Sequence, residues 1–501
     1  MPRGAIVSSL KLGLGLLACV VFVACEPHDT VSEGGPASAP VPIPEAPDPQ
    51  VVRPGRQPNF VFVLIDTLRA DHVGSYGYDR ETTPFIDSLA REGLVFENAI
   101  AQAPWTGASM ASIWTSRYPS EVGAGVLPDE SGMRLLGTTG STKIRSGIPT
   151  VHQELKKAGY GTYAFVANAF AGGVFGLLRG YDVARQRRMD AGSLTTAAIR
   201  VIESELADGS GEPFFLYLHY IDAHEPTYPP AEYRERFPVE DGLPHTMAHA
   251  RWNFAQGRDP DAAPFRSFYD HKIALYDASI RFIDAQVERL ANRIEALGVL
   301  ENTVFVIASD HGEEFWEHTE FEAEQHLDSR DVVGIGHGQS LFGELTDVPL
   351  ILSGAGVPAG RISTVVRNVD VAPTIYRLAG IDWSGLELRG SDLIELSAGE
   401  ATDLDAFSES LAYGLEAKSF ERNGWKLIRY SDTKSAQNEF LYDRNGDPGE
   451  MRDLSADRPE IAASLGEALD ATLAGMDTIR GANANLDEKT REQLKAIGYL
   501  E

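Results

Sequence analysis

The sequence predicts an α/β fold with a mostly parallel central sheet sandwiched by helices, followed by a small C-terminal α+β subdomain. Apolar runs of six to eight residues recur along the chain and alternate with helical patterns. Runs of this length are typical of strands buried on both faces. Their alternation with helices is typical of a parallel sheet covered on both sides. After about residue 396 the pattern changes to shorter strand-like runs followed by two helices.

Residues 1–24 have the pattern of a signal peptide. Arg3 and Lys11 are their only charges, and the apolar run from 12 to 24 is too short to span a bilayer. The run ends in Ala24-Cys25, which resembles a bacterial lipoprotein processing site. We therefore expect an exported protein of the bacterial cell envelope, anchored to a membrane by a lipid on Cys25. An uncleaved anchor and ordinary secretion are the alternatives.

Residues 25–58 are expected to form a tether between the membrane and the folded body. Nine prolines lie between residues 26 and 58, and such a segment cannot bury enough apolar surface to fold. The chain has two cysteines, Cys19 and Cys25. Processing would remove the first and acylate the second, so we expect no disulfide and no thiol nucleophile in the mature protein.

The composition indicates a globular protein with an acidic surface. Of the 501 residues 43% are hydrophobic, which is enough for one large domain and a smaller one. We place the main domain at residues 59–395 and the C-terminal subdomain at 396–501. The formal charge of −29 and the isoelectric point near 4.8 argue against a nucleic-acid partner, because phosphate backbones attract basic surfaces.

The secondary-structure elements are predicted from these patterns in chain order. Strands are expected at 60–65, 162–167, 214–221, 303–309 and 348–353. The clearest helix is expected from about 268 to 297, where apolar residues recur at spacings of three and four. In the C-terminal part we expect strands within 418–430 and 439–443 and helices near 456–476 and 484–497.

Polar residues follow three of the predicted strands. Asp66 follows the first, Asp222 and His224 follow the third, and Asp310 and His311 follow the fourth. In open α/β sheets the ligand lies beyond the carboxyl ends of the strands, so we expect these side chains to meet at one edge.

Several motifs occur in the order of a known family. They include Ile-Asp-Thr-Leu-Arg-Ala-Asp-His at 65–72, Ala-Pro-Trp-Thr at 103–106, Ser-Asp-His-Gly-Glu-Glu at 309–314 and Gly-His-Gly at 336–338. Together they closely resemble the sulfatase-like branch of the alkaline phosphatase superfamily, over roughly residues 59–500. The resemblance implies an alkaline phosphatase-like fold and a metal-dependent hydrolase or transferase acting on phosphoric or sulfuric esters.

The resemblance also implies a nucleophile and a metal site. The family pattern Cys/Ser/Thr-x-Pro-Ser is matched at 106–109, with Ala108 in place of proline, so Thr106 is the expected nucleophile. A hydroxyl needs a divalent cation to lower its pKa. We expect a helix to start near Ser109, and the alternative role of Thr106 is an N-cap. Asp66, Thr106, Asp310 and His311 are the expected metal ligands.

The ligand types favour Zn²⁺ or Mn²⁺ over Ca²⁺. Many sulfatases have a second aspartate where this chain has Thr67, and an asparagine where it has His311. Those all-oxygen sites hold Ca²⁺, whereas an imidazole suits Zn²⁺ or Mn²⁺. One ion is expected, and a second remains an alternative.

The roles of four further residues stay open at this point. By resemblance, His224 and His337 are either ligands of a second metal or catalytic groups that bind the oxyanion and protonate the leaving group. Asp222 is a further candidate for that second site. Arg69 either binds a substrate oxyanion or braces its loop against a carboxylate.

Thr106 bears on which ester is cleaved. Sulfatases of this family oxidise Cys or Ser to an aldehyde, but oxidation of Thr106 at Cβ would give a ketone. A threonine alkoxide can still attack phosphorus. We expect hydrolysis of a phosphate mono- or diester of a small molecule, glycan or lipid, or phosphoryl transfer, through a covalent Thr106 intermediate. A sulfatase and a non-catalytic binding lipoprotein on the same fold are the alternatives.

Overall fold

The computed structural model describes residues 57–128, 134–135, 141–206, 211–238, 263–325, 334–399, 404–431, 437–479, 481–484 and 486–496. One compact unit spans Pro47–Glu501. The predicted signal peptide, Cys25 and nearly all of the predicted tether lie outside the described residues. None of the helices in the described ranges is both long and apolar enough to cross a membrane.

The strands, in chain order, are β1 (Asn59–Ile65), β2 (Leu94–Ile100), β3 (Arg134–Leu135), β4 (Thr142–Lys143), β5 (Gly161–Val166), β6 (Val183–Gln186), β7 (Phe214–Tyr220), β8 (Thr303–Ala308), β9 (Glu314–Phe315), β10 (Ile335–Gly336), β11 (Asp347–Gly354), β12 (Gly360–Arg367), β13 (Ala406–Ser410), β14 (Tyr413–Gly414), β15 (Ala417–Arg422), β16 (Trp425–Tyr430), β17 (Glu439–Asp443) and β18 (Ala482–Asn483).

The α-helices are α1 (Pro84–Glu92), α2 (Thr106–Thr115), α3 (Pro119–Val122), α4 (Val151–Lys157), α5 (Ala191–Leu206), α6 (Ala231–Arg234), α7 (Ala263–Ala296), α8 (Thr319–Gln325), α9 (Gly343–Thr346), α10 (Val371–Ala379), α11 (Leu393–Ala398), α12 (Pro459–Ala474) and α13 (Glu488–Ala496). Helix α7 covers the helix predicted for 268–297 except its last residue.

The central sheet has eight strands in the order β12-β2-β11-β8-β1-β7-β5-β6. Strand β1 lies between β7 and β8 and pairs in parallel with both, while β11 runs antiparallel to β2 and β8. Every residue of β1, β7 and β8 is buried, because helices cover both faces. The predicted fold class, a mostly parallel sheet sandwiched by helices, is therefore confirmed.

A second sheet follows in the C-terminal part of the chain. Its four antiparallel strands have the order β13-β15-β16-β17, and α12 packs on them around a separate apolar core that includes Phe420, Leu427 and Leu469. Ser410, at the end of β13, donates a hydrogen bond of 2.8 Å from its hydroxyl to the carbonyl of Gly338. This sheet therefore supports the Gly336-His337-Gly338 segment. The domain boundary near residue 396 stays a prediction.

Candidate active site

The carboxyl ends of two neighbouring strands bring three of the predicted residues together. Asp66 follows β1, and Asp310 and His311 follow β8. All three side chains are fully buried, and one ligand atom of each lies within 4.8 Å of those of the other two. The Ser309 hydroxyl lies 2.8 Å from the Ile65 carbonyl and 2.9 Å from the Leu68 amide, which joins the two strand ends. The parallel sheet thus brings together three of the four expected metal ligands.

The free atoms of this cluster fit a divalent cation. Oδ1 of Asp66 and both carboxylate oxygens of Asp310 are buried and accept no hydrogen bond from the described part of the chain. Unpartnered buried carboxylate oxygens are costly, and a cation offsets that cost. The Nδ1 atom of His311 lies 2.9 Å from the Gly312 carbonyl, so Nδ1 carries the proton and Nε2 is left as a ligand.

A nearby group of carboxylates has different surroundings. Glu314, Glu317 and Glu344 also lie close enough to hold an ion. Each of them already has a partner in the protein, however: Glu314 accepts from the His318 amide, Glu317 from the Phe315 amide and Glu344 from the His318 ring. The cluster of Asp66, Asp310 and His311 is therefore the better metal site.

Thr106 lies against the metal cluster. Its hydroxyl oxygen is 3.3 Å from Nε2 of His311. Helix α2 begins at Thr106 and not near Ser109, and Trp105 is the N-cap residue, so the N-cap alternative for Thr106 is wrong. The Ser109 hydroxyl donates a 2.6 Å hydrogen bond to the Asp310 carbonyl, which ties the helix to the metal loop.

Two buried residues that the sequence analysis did not select hold this arrangement. The Asn168 amide nitrogen donates to Oδ2 of Asp66 at 2.5 Å and to the Thr106 hydroxyl at 3.1 Å. His219, on β7, contacts the same Asp66 oxygen through Nε2 at 2.9 Å. The signal for Asn168 was its place just after β5 on the same sheet edge, whereas His219 lay inside an apolar run.

His337 and His224 line one side of the cluster. The ring of His337 lies 4.4 Å from that of His311 and 4.9 Å from that of His224, between ring centroids. The Nδ1 atom of His337 is 3.2 Å from Oε2 of Glu313. His224 has its Nδ1 atom 2.6 Å from the carbonyl of Glu225. Both histidines are thus oriented by neighbouring acceptors.

A buried lysine pairs with Glu225, the residue that follows His224, and the sequence analysis did not identify it. Lys272, on α7, forms an ion pair with Glu225. Burial lowers the pKa of Lys272 to about 8, and the charge of Glu313 opposes that shift. A single lysine within an amphipathic helix gives no signal of its own, because the pattern alone does not reveal which face approaches the sheet edge.

Arg69 and Asp222, the other two predicted residues, have their hydrogen-bond partners outside the metal cluster. The Arg69 guanidinium bonds both carboxylate oxygens of Asp71, at 2.9 and 2.7 Å, and also contacts Glu317 and the Glu313 carbonyl. It braces two loops, which was one of its two alternatives. Asp222 accepts a 3.1 Å hydrogen bond from the Ala191 amide at the start of α5.

The electrostatics of the site follow from burial and from the neighbouring charges. Burial and the adjacent Asp66 carboxylate raise the pKa of Asp310 to about 6. Burial alone would also raise the pKa of Asp66. The His219 hydrogen bond and the nearby imidazoles outweigh burial, so the pKa of Asp66 falls below its ordinary range. Burial lowers the pKa of His224 to about 3, so its ring is neutral at pH 7.

Comparison with known proteins shows the family. The Sulfatase family profile matches residues 58–381. The chain is 25% identical over 482 residues to the uncharacterized sulfatase YidJ of Escherichia coli K12, covering 85% of this chain and 88% of that one. It is 23% identical over 456 residues to the Delta 4,5-hexuronate-2-O-sulfatase of Bacteroides thetaiotaomicron, covering 82% and 87%.

The fold is shared with solved structures as well. The phosphonate monoester hydrolase of Agrobacterium radiobacter superposes with a TM-score of 0.61 at 16% identity, over 83% of this chain and 96% of that one. The chain therefore belongs to the sulfatase family of the alkaline phosphatase superfamily, whose members generally use a divalent metal, and it is a hydrolase of sulfuric or phosphoric ester bonds.

Proposed function

We propose that the protein cleaves a phosphate mono- or diester of a glycan or small molecule through a covalent intermediate on Thr106, with transfer to a second alcohol as a close variant. The observation that carries this proposal is the position of the Thr106 hydroxyl, 3.3 Å from Nε2 of His311, in a cluster where Oδ1 of Asp66 and both oxygens of Asp310 accept no hydrogen bond from the described residues.

Two features prepare Thr106 for attack. Asn168 donates a hydrogen bond to its oxygen, and this bond becomes stronger as the oxygen gains negative charge. Thr106 is also the first residue of α2, whose first intrahelical bond runs from the Ser109 amide to the Trp105 carbonyl. The earlier amides of that turn have no partner within the helix, so they are suited to bind the oxygens of a tetrahedral oxyanion.

A divalent ion held by Asp66, Asp310 and His311 would lower the pKa of the Thr106 hydroxyl and offset the charge of the ester oxygens. The Thr106 proton passes to solvent, and the Thr106 oxygen then forms the bond to phosphorus as the bond to the leaving alcohol breaks. We assign the proton for that alcohol to His337, because its ring lies 4.4 Å from that of His311 and Glu313 orients it through Nδ1. Water or an acceptor alcohol then releases the phosphoryl group from Thr106.

We favour Zn²⁺ or Mn²⁺ as the ion. The donor set combines two carboxylates, an imidazole and a hydroxyl, and imidazole nitrogen suits these ions better than Ca²⁺. We also propose that the enzyme acts in the bacterial cell envelope, held by a lipid on Cys25, which the sequence pattern at residues 12–25 supports.

Sulfuric ester hydrolysis is the second candidate. The similarity to the hexuronate-2-O-sulfatase over 82% of the chain favours it. Against it stands Thr106, because oxidation at Cβ of threonine gives a ketone and not the aldehyde of the family's sulfatases.

A panel of matched aryl esters separates the two candidates. We would measure kcat/KM for 4-nitrophenyl phosphate, bis(4-nitrophenyl) phosphate, a 4-nitrophenyl phosphonate and 4-nitrophenyl sulfate. The wild type should prefer a phosphoester over the sulfate by at least about 100-fold, which is about 2.7 kcal/mol in barrier. Thr106→Ala should abolish this activity, while Thr106→Ser, which keeps the hydroxyl, should retain part of it. A sulfate ester cleaved faster than every phosphoester would overturn the assignment.

A further inference from the structure

The two carboxylate oxygens of Asp66 have different surroundings. Oδ2 accepts hydrogen bonds from Asn168 at 2.5 Å and from His219 at 2.9 Å. Among the described residues Oδ1 has no hydrogen-bond donor, and it faces His311, whose Nε2 atom is 3.8 Å away. One oxygen is therefore occupied by protein donors, and the other is directed at the metal cluster.

A second residue orients His219 from behind. The Tyr217 hydroxyl lies 2.6 Å from Nδ1 of His219, and both side chains are fully buried. The two residues are two positions apart on β7, so their side chains lie on the same face of the sheet. A phenol keeps its proton at neutral pH and can donate a hydrogen bond to Nδ1. In that arrangement the imidazole proton is on Nε2, which faces Asp66.

The strand pairing keeps this chain of contacts in place. Strand β7 pairs in parallel with β1, and His219 is in register with Leu64, two residues before Asp66. The relay Tyr217–His219–Asp66 is thus built into the centre of the sheet. Asn168 also donates to Thr106, whereas the hydrogen bonds of the His219 ring go to Asp66 and Tyr217. His219 can therefore be changed without touching the nucleophile.

We propose that His219 is a positioning residue that restricts Asp66 to one metal-facing oxygen and thereby selects Zn²⁺ or Mn²⁺ over Ca²⁺. The inference rests on the metal site of the proposed function. Ca²⁺ takes six to eight oxygen ligands and often uses both oxygens of a carboxylate. With Oδ2 of Asp66 engaged by His219, the site offers fewer oxygens and suits an ion of lower coordination number.

The test measures metal binding without any substrate. Metal-free full-length wild type, His219→Leu, His219→Gln and Tyr217→Phe would be titrated with Zn²⁺, Mn²⁺ and Ca²⁺ in a calorimeter, with circular dichroism as the check on folding. The matched control is His152→Gln, which changes another fully buried histidine, on α4, whose partner is Thr150.

His219→Leu should weaken Zn²⁺ binding by about 10- to 100-fold, and the ratio of Zn²⁺ to Ca²⁺ affinity should fall by at least about tenfold. His219→Gln keeps an N–H donor for Oδ2 and should restore most of that ratio. Tyr217→Phe should give a smaller loss, and His152→Gln should give none.

Folded His219→Leu with the wild-type affinity ratio would overturn the inference. If His219→Leu does not fold, Tyr217→Phe is compared with wild type. An unchanged ratio of Zn²⁺ to Ca²⁺ affinity in Tyr217→Phe would then overturn the inference. Failure of the proposed function is visible separately, because the ester panel can fail while these affinities remain as expected.

Discussion

Nδ1 of His337 lies 3.2 Å from Oε2 of Glu313, two residues beyond the predicted metal ligand His311. The loop that follows β8 therefore supplies two of the three residues of the metal cluster, Asp310 and His311, and also the group that orients His337. The contact orients the ring of His337, which under the proposed function is the group that gives a proton to the leaving alcohol.

His337→Ala should slow esters with poor leaving groups more than esters with good ones. A phenyl or alkyl phosphate needs a proton on its leaving oxygen, and loss of the donor should lower kcat by about 10²- to 10⁴-fold. 4-Nitrophenolate leaves without that help, so its ester should lose much less. Glu313→Gln, which keeps an acceptor for Nδ1, should have a small effect. Equal losses on both classes of ester would show that His337 has another role.

Asn168→Ala should lower kcat by about 10²- to 10³-fold at saturating metal, because the Thr106 oxygen loses the donor that stabilises its charge. Steady-state kinetics on the preferred ester would measure the loss. Asn98→Ala is the matched control, because Asn98 is exposed and its amide donates to the Ser363 carbonyl, away from the Thr106 site. Unchanged kcat in Asn168→Ala would contradict the proposed contact with the nucleophile.

Asp310→Asn should separate the stability of the metal-free protein from its response to metal. Burial and Asp66 raise the pKa of Asp310 to about 6, so its ionised form destabilises the metal-free fold above that pH. At pH 8 the metal-free variant should melt at or above the metal-free wild type. Metal at 100 times Kd should stabilise the wild type by about 2.7 kcal/mol and should leave the variant unchanged.

Thermal melts with and without added Zn²⁺ would check this prediction. Glu92→Gln, which removes an exposed carboxylate, should behave as wild type in both conditions. A full metal-induced rise in the melting temperature of Asp310→Asn would exclude Asp310 as a ligand.

Asp222→Asn should alter how stability depends on pH. Burial, with the nearby charge of Asp190, raises the pKa of Asp222 to about 7 from an ordinary value of 3.8. A carboxyl whose pKa is higher in the folded state than in the unfolded state stabilises the fold while it is protonated. This contribution is complete below pH 3.8 and is lost as the pH rises through about 7. The free energy of unfolding of the variant relative to wild type should therefore increase between pH 5 and pH 8.

Urea denaturation at several pH values would measure that difference. Asp79→Asn, at an exposed aspartate, should show no such trend. A constant difference across the pH range would mean that Asp222 is ionised throughout.

Cys25→Ser should release the protein from membranes into the soluble fraction, since Cys25 is the residue expected to carry the lipid. Cell fractionation and immunoblotting would locate the protein. Cys19→Ser lies in the predicted signal peptide and should not change its location. Equal membrane retention of the two variants would contradict the lipid anchor.

The sequence was informative where a residue's role depends on its place along the chain. The continuous apolar runs predicted β1, β5, β7, β8 and β11, and Asp66 and Asp310 were found because they follow such runs. Strand β2 was missed because exposed Glu97 and Asn98 interrupt its apolar pattern, and β12 because its first residues are exposed.

The sequence analysis did not find residues whose role depends on the direction in which the side chain points. His219 lies inside the apolar run of β7, and nothing in that run shows which of its residues faces Asp66. Lys272 turns inward because of the way α7 packs on the sheet, which periodicity alone does not fix. Sequence patterns locate strand ends well, but the contacts behind the ligands depend on tertiary packing.

The hydrogen bond between the Ser309 hydroxyl and the Ile65 carbonyl joins residues that are 244 positions apart. Strand β8 must pair with β1 before that bond can form, and closing so long a loop has an entropic cost. Asp310 and His311, two of the four expected ligands, are not next to Asp66 until these strands have paired. An ion that meets the chain earlier finds only isolated carboxylates, like many others in this acidic sequence. We therefore expect discrimination between metals to require the finished fold, with metal loading after the pairing of β1 and β8.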